Sequence, residues 1–233
     1  MEWAILAIGI FGALIAYVVW QGSRASLKYR ELAAAGDIPT IREIIEEAME
    51  GWRSARPPKE VPPSVWHGVQ TMELMEVGPD YVRVGCNAQG QYKMVDGRWQ
   101  EITSLFQEAI AVTAKAADML LYELPNLKLD RAQIDVYTTY RDATRTRRQC
   151  ILTCTARRDD ARQVDWDGWT PEQIVQRLGA RYRLDENGQA LPISPDEPAA
   201  APPLQASPEA NPPLAEDQPA ARRAAGSEKP AGQ

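Results

Sequence analysis

The residue types from which enzymes assemble sites are scarce in this chain and poorly spaced for joint work. Its single histidine, His67, has no cysteine or acid near it at metal-ligand spacing, so zinc is not expected, and the residue reads as a surface or packing histidine. The three cysteines, Cys86, Cys150 and Cys154, are too few for a disulfide framework. If Cys150 and Cys154 share a strand, their Cα atoms stand about 13 Å apart, too far for a bridge. GxGxxG, GxxxxGKS/T, GxSxG and HExxH are all missing from the sequence, so the loops and helix faces behind dinucleotide, P-loop, hydrolase and zincin chemistry have no carrier. No catalytic residue, metal or cofactor is assigned.

Two groupings suit recognition better than catalysis. Arg141, Arg145, Arg147, Arg148, Arg157, Arg158 and Arg162 fall on one expected hairpin and its exit. Guanidinium forks match phosphates and carboxylates, so these residues are candidates for binding an anion or an acidic partner. Asp142, Asp159 and Asp160 are interleaved with them, which also fits an ordinary solvated turn. Trp166 and Trp169, in VDWDGWTP, are candidate interface anchors or, equally, a cap over the core beside the next helix.

Residues 104 to 158 place a long helix before IDVYTTY, an arginine-rich turn and RRQCILTCTARR. This order resembles the helix and hairpin of the Mrr-like restriction-endonuclease fold. The resemblance implies a metal-binding acid on the first strand, which Asp135 matches by position, and a Glu or Gln followed two residues later by Lys on the second. Thr153 and Thr155 stand where those two residues belong, so the metal would lack a ligand and the attacking water its partner. Asp135 is expected instead to be a solvent-facing strand residue.

The elements that must position these residues are legible in the periodicity. Residues 26 to 52 suggest a helical pair broken at Gly36, with Asp37 capping the second helix, Pro39 in its first turn, and Ile38, Ile41, Ile45, Met49 and Trp52 on one face. Glu43, Glu46, Glu47 and Glu50 occupy the opposite face. A stiff ARPPKEVPPS linker follows, then a short helix over 65–75. Strands are expected over 81–86, 91–95 and 98–102, turned at Gln89-Gly90 and Asp96-Gly97 and arranged as an antiparallel meander. The core helix spans Ser104 to Leu124, opened by a Ser104 and Gln107 capping box and ended by Pro125. Strands over 132–140 and 149–157 come next, with Ile134, Val136 and Thr138 on one face and Cys150, Leu152, Cys154 and Ala156 on another. A helix capped by Thr170 and a hairpin turned at Asn187-Gly188 complete an α+β fold, an antiparallel or mixed sheet packed on one long core helix.

The termini differ from this middle. Trp3 to Trp20 carries no charge and no proline, and 18 helical residues reach about 27 Å, the thickness of a bilayer core. Residues 1–22 are thus expected to be a transmembrane anchor, with Trp3, Tyr17 and Trp20 at its boundaries. Arg24, Lys28 and Arg30 follow it, and by the positive-inside bias the N-terminus lies outside and the domain in the cytoplasm. A helical stalk over 23–54, the Pro-rich linker over 55–64, the α+β domain over 65–193 and a Pro/Ala-rich tail over 194–233 complete the organisation. The tail has eleven alanines, nine prolines and no aromatic or β-branched residue, the composition of a disordered segment. With six acidic against three basic residues it carries half of the net charge of −6, leaving the folded part close to neutral. The expected function is that of a membrane-anchored, non-enzymatic interaction or scaffold protein. Its partners are the bilayer and a protein of unknown identity; a nuclease-like protein touching nucleic acid through the arginine hairpin is the alternative.

Overall fold

The computed structural model describes residues 30–125, 127–141 and 145–196, together with Gly12 and Tyr17, which are helical. Residues 30–34 are helical and end at Gly36, whose φ of +80° suits a residue without a Cβ. Asp37 then caps α1 (Ile38–Ser54), its carboxylate accepting from the Thr40 N–H at 3.1 Å. Ile41, Ile44, Ile45 and Met49 are buried and the four glutamates face solvent. The apolar face of α1 joins the same hydrophobic core as Val82, Leu120 and Ile134.

The next helix, α2 (Pro63–Gln70), is shorter than the periodicity predicts. Glu73–Val77 is strand β1, because ELMEV finds an antiparallel partner in β2 (Tyr81–Asn87) across a turn in which the Gly78 N–H donates to the Tyr81 carbonyl at 2.7 Å. Apolar residues at 69, 72 and 75 recur at helical spacing, and pairing with β2 overrides that local signal.

The expected meander is replaced by a crossover. β2 pairs in parallel with β5 (Arg131–Arg141), Val82 opposite Ala132, Val84 opposite Ile134 and Cys86 opposite Val136. Parallel neighbours need a long connection, and α3 (Leu105–Asp118) provides it. Strands β3 (Gln91–Val95) and β4 (Arg98–Thr103) are thereby left out of the main sheet and pair with each other, turning through Asp96 at φ +50° and Gly97 at φ +77°. The Ser104 and Gln107 capping box forms as expected. After Asp118 the helix widens into one π-helical turn, Met119–Glu123, before Pro125.

β6 (Thr146–Arg157) pairs antiparallel with β5, and the short helices α4 (Arg158–Ala161) and α5 (Pro171–Arg177, capped by Thr170) lead to β7 (Arg181–Leu184) and β8 (Ala190–Leu191). The six strands run in the order β1, β2, β5, β6, β7, β8, antiparallel except for β2 with β5. The class is α+β with a mixed sheet, helices covering the face that carries Val82, Val84, Ile134 and Val136. A bulge at Val136/Tyr137 sets Tyr137 opposite Cys150, so Cys150 drops out of the core that contains Leu152, Cys154 and Ala156.

The transmembrane reading is corrected. Among the described residues no helix is long and apolar enough to cross a membrane. The two longest show why: α1 has one face of glutamates, and α3 carries Glu108, Lys115 and Asp118. The expected span over 3–20 falls, apart from Gly12 and Tyr17, outside the described residues. The single-pass anchor and the cell-membrane topology built on it are therefore set aside. Of the expected tail, residues 194–196 belong to the folded unit; those beyond lie outside the described residues.

Candidate functional site

At the carboxyl ends of the two parallel strands the chain encloses a polar cavity of about 370 Å³, where Asn87 ends β2 and Thr138 and Thr139 lie near the end of β5. Open sheets with parallel strands hold ligands at this position, and the volume suits a small molecule. Helix α2 supplies Ser64, His67 and Gly68, and α3 supplies Glu108. The close approach of these elements depends on Gly68: a Cβ there would stand 2.5 Å from Val112 Cγ2 and 3.0 Å from the Asn87 carbonyl.

Glu108 is the anomaly of the site. It is only 4% exposed, and its Oε1 is buried without a hydrogen-bond partner. Burial pushes its carboxyl above the ordinary glutamate range, against the lowering effect of a hydrogen bond with Ser64. Across the cavity Arg148 helps to hold the wall: Nε donates to Asn87 Oδ1 at 3.1 Å, Nη1 donates to Glu73 Oε2 at 2.8 Å, and the guanidinium lies 4.6 Å from the Tyr137 ring centroid.

On the helix-free face of the sheet Asp135 is wholly buried, which overturns its expected exposure to solvent. Arg83 Nε donates to its Oδ2 at 2.7 Å, while Thr153 at 2.5 Å and Gln133 at 3.1 Å donate to Oδ1. A polar residue on a strand face is exposed only if nothing covers that face. Here residues 193–196 do: Ile193 N–H donates to the Cys150 carbonyl at 2.8 Å, Arg181 to the Pro195 carbonyl at 2.9 Å, and Arg83 Nη1 pairs with Asp196 at 2.7 Å. Burial lowers the Arg83 pKa, but Asp135 and Asp196 outweigh it and hold the guanidinium charged well above its usual range. Both oxygens of Asp135 are thus engaged by protein donors.

The arginines singled out in the sequence are not brought together. Arg145, Arg147 and Arg157 are exposed, Arg148 serves the cavity wall, and Arg162 pairs with Asp159. Arg158 turns inward, donating to the carbonyls of Leu129 at 2.7 Å and Leu121 at 2.5 Å beneath the Tyr122 ring. It lies about 33 Å along the strand from Arg148 at 3.3 Å per residue. The backbone of Arg141 ends β5; its side chain is outside the described residues. Trp166 packs against the core, its Nε1 donating to the Ala161 carbonyl at 3.2 Å and its ring meeting Tyr122 edge-on, whereas Trp169 stays exposed at the surface.

Sequence reasoning missed two features. One is Glu108, whose signal was an acid set within the apolar stripe of Leu105, Ala109 and Val112. The other is the surface of the β3–β4 hairpin. Met94 pairs with Trp99 and Tyr92 with Glu101, and Tyr92, Met94, Trp99 and Ile102 are all exposed, Trp99 at 69% and Met94 at 55%.

No family model, curated protein or solved structure matches the chain.

Proposed function

We propose that this chain is a non-enzymatic interaction module that holds a protein partner through the β3–β4 hairpin. The observation that carries the reading is the solvent exposure of Tyr92, Met94, Trp99 and Ile102 on a ribbon that pairs with no other strand among the described residues. A two-stranded hairpin is marginal by itself, and large apolar side chains grouped on one gain free energy when a second surface covers them. Aromatic and methionine side chains are also the residues that most often anchor interfaces. Asp96 and Glu101 are interleaved with Lys93 and Arg98, so the hairpin carries no net charge to draw it to anionic lipid, and an apolar protein groove fits it better.

Site-specific photo-crosslinking from position 94 of the full chain in its native cells, with Trp99→Ser as the control, tests this. One protein crosslinked at stoichiometric level and lost in Trp99→Ser is the expected result. Crosslinking only between copies of this chain, binding of Trp99-dependent character to anionic vesicles, or a crosslink pattern indifferent to Trp99→Ser would overturn it. The nucleic-acid alternative draws no support from the dispersed arginines or from the fully engaged Asp135 carboxylate.

A further inference from the structure

The cavity at the carboxyl ends of β2 and β5 is independent of the hairpin. We propose that it is a binding site for a small organic cation carrying a primary ammonium group, which Glu108 receives. Among the described residues, Glu108 Oε1 is the one buried side-chain oxygen or nitrogen left without a partner, and it belongs to the cavity wall. A buried carboxylate oxygen without a donor is costly, and sites retain such groups where a ligand supplies what is missing. What is missing here is a donor, since an ionised carboxylate only accepts.

The charges around the cavity favour a donor that brings a positive charge. Arg148 pairs with Glu73 at 2.8 Å and with Asn87, and it is not among the influences on the Glu108 carboxyl, which are burial and Ser64. Glu108 then adds one negative charge to a wall whose other titratable or charged groups are His67 and the paired Glu73 and Arg148, the rest being hydroxyl, amide and small residues such as Ser64, Thr71 and Thr138. An ammonium group has three donors: one can meet Oε1, and hydroxyl or carbonyl oxygens of the rim can take the others. At about 370 Å³ the space admits a compact amine. Burial raises the Glu108 pKa, and an ammonium group beside the carboxylate acts in the opposite direction, favouring the ionised form.

The test is a titration of the isotope-labelled full chain with 2-aminoethanol, followed through backbone amide resonances, with ethylene glycol as the uncharged control. Saturable shifts at Gly68, Asn87 and Glu108 are expected with the amine and not with the glycol. Affinity should fall as pH is lowered through the Glu108 titration, in the parent and in His67→Gln alike, and drop about tenfold or more in Glu108→Gln, the loss of one charge-assisted hydrogen bond. Thr138→Val, which keeps the carboxylate, should weaken binding less. Equal shifts from glycol and amine, no shift with either, or affinity unchanged by acid would overturn the assignment, and the last three readouts need no variant to fold. Loss of the hairpin partner would leave all of them unaffected.

Discussion

Replacing Arg83 by Ala tests the account of the helix-free face most sharply. Asp135 is fully buried, and the Arg83 side chain is itself only 15% exposed, so the pair at 2.7 Å is shielded from the solvent screening that makes surface pairs weak. Thr153 and Gln133 would continue to donate to Oδ1, but Oδ2 would face a sheet interior with no cation. Removing one partner of a buried pair costs about 3–5 kcal/mol. The two remaining donors favour the lower end, so about 3 kcal/mol is expected. For a folded unit of this size that lowers Tm by roughly 6–12 °C. Chemical and thermal unfolding followed by circular dichroism would measure it. Arg83→Ala combined with Asp135→Asn should recover a large part of the loss, since the uncompensated charge is then gone and the coupling between the two sites appears directly. Asp196→Ala should cost less than about 1 kcal/mol, because that carboxylate is exposed. A loss below about 1 kcal/mol in Arg83→Ala, or no recovery in the double variant, would refute the view that this pair holds the face together.

Three further outcomes follow from the same geometry. Gly68→Ala should destabilise by about 1–3 kcal/mol through overpacking against Val112 and the Asn87 carbonyl, and Val112→Ala should relieve part of it; equilibrium unfolding checks both. Glu108 has its native pKa raised, so folding favours its neutral form, and stability is lost as pH climbs from the ordinary glutamate value near 4.3 through the raised one. Glu108→Gln should therefore be more stable than the parent by about 1 kcal/mol at pH 7, an advantage that fades toward pH 4 in a pH series of unfolding curves. Cys86, Cys150 and Cys154 are buried, and burial pushes each thiol up to about 12, so a thiol reagent at pH 8 should modify none of them in the native chain and all three after denaturation.

Local signals carried much of the architecture. Asp37, Ser104 with Gln107, and Thr170 with Gln173 cap their helices as short-range chemistry dictates, because a cap needs only a side-chain oxygen within three residues of an unpaired N–H. The turns at Gly97 and Gly188, both at positive φ, were legible for the same reason. Strand β1 was not, since apolar spacing at 69, 72 and 75 fits a helix until β2 offers a pairing edge.

What the sequence determined by itself was where the capped helices begin and where the glycine turns fall, and that the middle of the chain makes an α+β fold. Which strands are neighbours, and hence where the cavity, the buried Arg83–Asp135 pair and the outlying hairpin lie, only the tertiary structure decided. Parallel pairing of β2 with β5 joins residues some fifty positions apart, and no local pattern encodes so distant a choice. Nor could alternation along β5 tell that residues 193–196 would cover its outer face and convert Asp135 from a surface acid into a buried ion-pair partner. Burial of a polar side chain is set by what comes to lie over it.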